Sequence, residues 1–245
     1  MIALVTGASS GIGEATARRL ARERDARLVL VARREDKLRA LADELGGAIV
    51  IAADLTDEAT PALIRDRVQA EHGGLDLLVN NAGAGWGAAF ADGGYANVRQ
   101  TMELNFDAVV RLTEALLPLV RSSRGAIVNV ASTAGRLGRA RSAAYSASKF
   151  ALAGWTDGLH LEEKRHGVHV GLVLPGFVST EGFPQRQIVE RPFTRWILAK
   201  PETVAEAIVD AGLHGKAERY TPRVYYFAAL LRIATPALMR RALSR

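Results

Sequence analysis

The chain has 245 residues, 49% of them hydrophobic and 24% charged, which predicts one large soluble globular domain with a substantial core. It contains no cysteine, which excludes disulfides, thiol catalysis and thiolate metal sites. The net charge of +6 resides in residues 216–245, where Lys216, Arg219, Arg223, Arg232, Arg240, Arg241 and Arg245 face only Glu218; the rest carries 25 charges of each sign, which argues against a nucleic-acid partner.

Met1 runs directly into an apolar segment with no basic leader, and no apolar run approaches the ~20 residues of a bilayer span. The expected location is therefore cytoplasmic. Short apolar runs at Ile2–Val5, Arg27–Ala32, Ala48–Ala53, Leu75–Asn80, Ala126–Ala131 and Val168–Leu174 predict strands. Their Val, Leu and Ile residues occupy both faces, as in strands covered by helices on each side. Amphipathic segments near 11–24, 35–45, 58–72, 96–121 and 144–166 predict the helices. The repetition predicts a single doubly wound Rossmann-type α/β domain, a parallel sheet with helices on both faces. It is expected to span residues 1–215, including an irregular insertion near 181–200, with 216–245 as an extension rather than an independent domain.

The first strand ends in Thr6-Gly7-Ala8-Ser9-Ser10-Gly11-Ile12-Gly13, and a helix comes next. Glycines permit tight turns and close approach, and the helix presents unpaired N–H groups to the loop, so the segment suits a pyrophosphate. The spacing is G-x-x-x-G-x-G rather than the commoner G-x-G-x-x-G. The second strand ends Val31-Ala32-Arg33-Arg34, and the first acid, Glu35, already lies in the helix. An acid at this position would bond ribose hydroxyls, whereas arginines accommodate a 2′-phosphate, so NADP(H) is the expected cofactor. The alternative is that Arg33 and Arg34 are merely surface charges.

The fifth strand leads to Ser132, and Tyr145-Ser146-Ala147-Ser148-Lys149 begins thirteen residues later. The i,i+4 spacing places Tyr145 and Lys149 on one helix face. A free phenol, with a pKa of about 10, needs help to act as a base near neutrality, and an adjacent ammonium lowers that value. Ser132 can hold the substrate oxygen while Tyr145 exchanges its proton. A Y-x-x-x-K pair taken alone also fits an ordinary amphipathic helix. His166 and His169 lack a neighbouring carboxylate cluster, so no metal site is expected.

Together these segments resemble the short-chain dehydrogenase/reductase family over roughly residues 2–180. The matching motifs are TGASSGIG at 6–13, Asp54-Leu55, Asn80-Asn81-Ala82-Gly83, Asn105, Ser132, YSASK at 145–149 and PGFVST at 175–180, in the family's order and spacing. The resemblance implies Tyr145 as acid/base, Lys149 as the residue that lowers its pKa and bonds the nicotinamide ribose, and Ser132 as donor to the substrate oxygen. It implies that Asn105 holds a water linking Lys149 to solvent. It also implies cofactor contacts from Gly7, Ser9, Ser10, Gly11, Ile12, Gly13, Asp54, Leu55, Asn81, Ala82, Gly83, Pro175, Gly176, Val178 and Thr180, in addition to Arg33, Arg34, Tyr145 and Lys149. Asp54 would bond the adenine amino group, and Val178 and Thr180 would meet the carboxamide. The expected activity is hydride transfer between NADP(H) and a carbonyl compound or secondary alcohol, in a homo-oligomer, dimer or tetramer. A non-catalytic NADP(H)-binding regulator or scaffold is the alternative, and its expected mark would be a missing Tyr or Lys.

Substrate-facing segments say less. Trp86 suits stacking on substrate or simple packing, and Arg136, Arg139 and Arg141 suit an acidic substrate group or plain solvation. The 181–200 segment, with Phe183, Phe193 and Trp196, has the composition of an apolar lid. In the tail, Tyr225–Leu231 is apolar, and Pro236 should break the segment into two short helices. Residues 225–245 pack on a subunit or lie peripherally on an anionic membrane or lipid.

Overall fold

A computed structural model describes residues 1–178 and 197–243. Its strands are β1 (Ile2–Thr6), β2 (Arg27–Ala32), β3 (Ile49–Ala52), β4 (Leu77–Asn80), β5 (Ala126–Val130), β6 (His169–Pro175), β7 (Phe177–Val178), β8 (Leu198–Ala199) and β9 (Glu218–Thr221). The helices are α1 (Gly11–Leu20), α2 (Glu35–Glu44), α3 (Thr60–His72), α4 (Phe90–Met102), α5 (Ala108–Ser123), α6 (Ala143–Glu163), α7 (Pro201–Gly212), α8 (Val224–Ala234) and α9 (Pro236–Leu243).

Side-chain alternation divides the core in two. Leu28 and Leu30 of β2 pack with α1, α2 and α7 on one face of the sheet. Val29 and Val31 of the same strand pack with Ile64 of α3, Leu116 of α5 and Leu159 of α6 on the other. Both faces are buried, so the strands read as continuous apolar runs. Each fully buried Leu or Val contributes about 1.5–3 kcal/mol.

The seven-stranded sheet has the order β3-β2-β1-β4-β5-β6-β9, and every pairing is parallel. This is the single Rossmann-type α/β domain expected from the sequence. The order reverses between β1 and β4, and a crevice opens there beyond the carboxyl ends of the strands. The loops after β1, β4 and β5 meet at that crevice, and they carry the glycine loop, the Asn80–Gly83 segment and Ser132.

Three elements differ from the sequence-based expectation. The helix expected at 96–121 is interrupted: a kink at Gly94 (φ 52°, ψ −156°) sets Phe90–Gly93 apart from it, and α4 and α5 flank a π-helical turn at Glu103–Asp107. The wider turn rotates Asn105 inward, to complete burial. α7 was not foreseen, although Pro201 at its first turn is a recognisable start signal. β9 lies beyond residue 215, within the stretch expected as an extension; it is a short, polar edge strand whose sequence shows little β pattern. The tail does divide at Pro236 into α8 and α9. Among the described residues, no helix is long and apolar enough to cross a membrane. The insertion expected near 181–200, with Phe183, Phe193 and Trp196, lies outside the described residues up to 196; beyond it, Leu198–Ala199 pairs with Phe177–Val178.

Candidate active site

The loop after β1 is shaped by its glycines. Gly7 and Gly11 adopt φ of 67° and 59°, conformations that a side chain would strain. Gly13 is fixed by contact instead: a Cβ there would lie 2.2 Å from the Gly7 carbonyl oxygen and 2.7 Å from Asn81 Nδ2. Thr6 stitches the loop to the end of β4. Its hydroxyl donates to the Val79 carbonyl at 3.2 Å and accepts the amides of Asn81 and Ala82 at 2.9 and 3.0 Å. The Asn81 side chain donates to the Thr6 carbonyl at 2.9 Å, so it holds the loop as well as lining the crevice. Ser10 caps α1 in extended conformation, and its hydroxyl makes no capping bond. The first-turn amides therefore face the bare glycine cradle, which fits a pyrophosphate.

Beyond β2, Arg34 reaches back to this loop. Its Nε donates to the Ser9 hydroxyl at 3.3 Å and its terminal nitrogen to the Ser9 carbonyl at 3.2 Å. Arg33 is mostly exposed, 3.9 Å from the Asp54 carboxylate. One oxygen of Asp54 accepts the amide and hydroxyl of Thr56 at 2.9 and 2.8 Å, and these bonds hold the carboxyl below its usual pKa. Leu55 is buried beside it. The chain after β2 thus presents two cations, Arg34 held on Ser9 and Arg33 near Asp54, and no acid of its own before α2.

The catalytic candidates converge at the ends of β5 and α6. Ser132 caps a short 3-10 turn, accepting the Ala134 amide at 3.1 Å and donating to the Pro175 carbonyl at 3.3 Å. Tyr145 shares a side-chain hydrogen bond with Ser132. Gly135 permits this approach, since a Cβ there would fall 2.5 Å from the Lys149 carbonyl oxygen. Lys149 is buried, donates to the Val130 carbonyl at 3.0 Å, and stands 5.9 Å from the centroid of the Tyr145 ring. Asn105 bonds both backbone groups of Ala84, at 3.0 and 2.9 Å, and donates to Ser148 at 3.0 Å. A Cβ on Gly83 would touch Asn105 Oδ1 at 3.0 Å and Lys149 Nζ at 3.3 Å, so the bare side of Gly83 lies between these two groups.

Burial dominates the electrostatics of the Tyr145–Lys149 pair. Sequence reasoning gives Lys149 the task of lowering the Tyr145 pKa. In the structure, burial pushes the phenol above its ordinary value, and the Ser132 hydrogen bond and the Arg139 charge pull it back. Burial itself pulls Lys149 down to about 8, which leaves it predominantly charged at pH 7.

Sequence reasoning missed two contributors. Ser148 links Asn105 to the Tyr145 carbonyl, donating to the latter at 2.9 Å, and its place inside the YSASK segment was the available signal. Tyr225 of α8 covers Gly176, where a Cβ would fall 2.1 Å from its ring, and its hydroxyl donates to the Ile197 carbonyl at 3.2 Å. No local pattern announces that contact. Pro175 and Val178 are buried beside it; Thr180 lies outside the described residues. Trp86 is exposed, and its carbonyl accepts from Asn97 at 3.3 Å. The three loop arginines separate: Arg136 pairs with Glu218 at 3.3 Å and Asp157 at 3.7 Å, Arg141 is exposed, and Arg139 lies 4.6 Å above the Phe177 ring.

Arg139 favours the phenolate of Tyr145, so Arg139→Ala should raise the phenol pKa further. In the alcohol-oxidising direction the deprotonated tyrosine is the base. The rising limb of kcat/KM is therefore expected to move to higher pH, and the displacement should shrink in high salt. An unmoved limb would show that Arg139 does not act on Tyr145.

A family model described as short chain dehydrogenase matches residues 1–188. The chain is 36% identical to the ketoacyl reductase HetN of Nostoc sp., across 85% of this chain and 74% of the relative. It is 40% identical to a cis-4-hydroxycyclohexanecarboxylate dehydrogenase of Sinomonas cyclohexanicum, across 84% of this chain and 87% of the relative. It is 39% identical to a granaticin polyketide synthase putative ketoacyl reductase of Streptomyces violaceoruber, across 82% and 76% respectively.

Proposed function

The chain belongs to the short-chain dehydrogenase family of oxidoreductases, which use a nicotinamide cofactor, and from that premise we propose that it interconverts a ketone or aldehyde and the corresponding alcohol with NADP(H). The observation that carries the reading is the convergence of Ser132, Tyr145 and Lys149 beside Gly83, at the mouth of the glycine loop. Relatives named for ketoacyl reduction and for dehydrogenation of a hydroxycyclohexanecarboxylate support carbonyl/alcohol chemistry as the reaction. The non-catalytic regulator has no support, since neither the tyrosine nor the lysine is missing.

In the reductive direction Ser132 donates to the substrate carbonyl oxygen and fixes its position. Tyr145 passes its phenolic proton to that same oxygen. A phenol kept above its ordinary pKa by burial is protonated at pH 7 and so is ready to act as the acid. NADPH, when bound, supplies the hydride to the carbonyl carbon. Lys149 would hold the nicotinamide ribose and, lying next to Tyr145, would favour the phenolate left behind. In the oxidative direction the same groups act in reverse, with Tyr145 accepting the alcohol proton. The glycine loop and the first turn of α1 would hold the pyrophosphate, and Asp54 would bond the adenine amino group.

The preference for NADP(H) over NAD(H) rests on Arg34, held against Ser9, and on the exposed Arg33 that follows β2. A charge-assisted hydrogen bond contributes about 1.5–3 kcal/mol, or roughly 10- to 100-fold in affinity. Arg33→Asp is therefore expected to weaken NADPH binding by about that factor and leave NADH little changed. Fluorescence titration of both cofactors checks this. Equal dissociation constants for NADPH and NADH in the unmodified protein would overturn the cofactor assignment.

A further inference from the structure

The C-terminal helices show two unlike faces. The inner face of α8 belongs to the fold: Ala229 is buried, and Tyr225 seals Gly176. The outer face is apolar without interruption. Successive positions at 100° spacing bring Tyr226, Phe227, Leu230, Leu231 and Ile233 onto one arc, and each is exposed, Phe227 by 63% and Ile233 by 76%. Leu238 of α9 extends the patch, so that six of the twelve large exposed hydrophobics among the described residues lie between 226 and 238. An apolar face left outside the fold requires a second apolar surface.

The charge pattern selects that surface. From residue 219 to the end the chain carries Arg219, Arg223, Arg232, Arg240, Arg241 and Arg245 and no acid. A second copy of this segment would bring like charges together, which disfavours a tail-to-tail dimer. The outer arc also offers almost no directional polar group: the Tyr226 hydroxyl is its one side-chain donor. A lipid surface demands none, and tyrosine suits the boundary between acyl chains and headgroups. An anionic leaflet satisfies both the apolar arc and the cationic tail.

We propose that the exposed face of α8, continued by α9, docks the protein peripherally on an anionic lipid bilayer. Tyr225, on the opposite side of α8, covers Gly176, so the docking face lies one helix thickness from the chain that follows β6. The contact itself does not depend on the catalytic roles of Ser132, Tyr145 and Lys149.

Sedimentation of the full-length chain with vesicles tests the proposal, using phosphatidylcholine alone and phosphatidylcholine mixed with phosphatidylglycerol. The protein should pellet with the mixed vesicles at low salt and return to the supernatant with phosphatidylcholine alone or at high salt. The triple variant F227S/L230S/I233S alters only exposed positions. It should lose vesicle binding while retaining its circular dichroism and NADPH affinity, so a loss cannot be ascribed to unfolding. Three results would overturn the proposal: no pelleting with the anionic vesicles at low salt, equal pelleting with neutral ones, or undiminished binding by the triple variant. A change of molar mass by light scattering in the triple variant, with no vesicle binding by the parent, would also overturn it and assign the face to a second copy.

Discussion

Tyr145→Phe is expected to lower kcat by about 100- to 10,000-fold while leaving the NADPH dissociation constant within a few-fold of the parent. The magnitude is that of removing a positioned acid/base from a proton-transfer step. The substitution deletes one hydroxyl and keeps the ring that stands 5.9 Å from the Lys149 ammonium. It also leaves untouched the glycine loop, where the pyrophosphate is to be held. Lys149→Ala should differ in kind. It removes a buried cation that bonds the Val130 carbonyl, so both cofactor affinity and turnover should fall. Steady-state assays combined with separate cofactor titration distinguish the two patterns. Unchanged kcat for Tyr145→Phe on a substrate the parent turns over would dismiss tyrosine as the acid.

Gly13→Ala should be the most damaging single-methyl change in the cofactor loop. The new Cβ would lie 2.2 Å from the Gly7 carbonyl oxygen, a backbone atom that cannot swing aside. It would also crowd Asn81 Nδ2, whose bond to the Thr6 carbonyl ties β4 to β1. Overpacking of this kind costs about 1–3 kcal/mol, which lowers the melting temperature by several degrees in a domain of this size. Displacement of the loop should also weaken NADPH at least tenfold, since the first-turn amides of α1 move with it. Gly154→Ala makes the same chemical change in α6, at an exposed position with no atom within 4 Å of the added carbon. It should leave NADPH binding intact and raise stability by roughly 0.5–1 kcal/mol, because alanine is the better helix former. Calorimetry and cofactor titration of the pair provide the check. A Gly13→Ala protein with parental stability and affinity would mean that the loop is held less tightly than these contacts require.

Features with a short sequence span were legible in the amino-acid order alone. Apolar runs of four to seven residues, alternating with longer amphipathic stretches, determined a doubly wound parallel sheet, because only strands covered on both faces have no polar side. Thr6–Gly13 was readable because loop conformation depends on neighbouring residues. Tyr145 and Lys149 were readable because helical geometry alone places residues four apart on one face. What the tertiary structure decided concerns groups far apart in the chain. The polar link from Asn80 through Asn129 to Thr156, which ties β4 and β5 to the helix bearing Tyr145, spans residues 80 to 156. The extra residue of the π turn gives Asn105 its place against Ala84 and Ser148, and a 3.6-residue periodicity passes over it. Burial sets the direction of the Tyr145 pKa, and burial is a sum over the whole packed structure. Tyr225 reaches Gly176 across 49 positions of sequence, and β9 joins the sheet only because β6 presents it a free edge. Local sequence fixes backbone preference and spacing, whereas such contacts exist only after the chain has closed on itself.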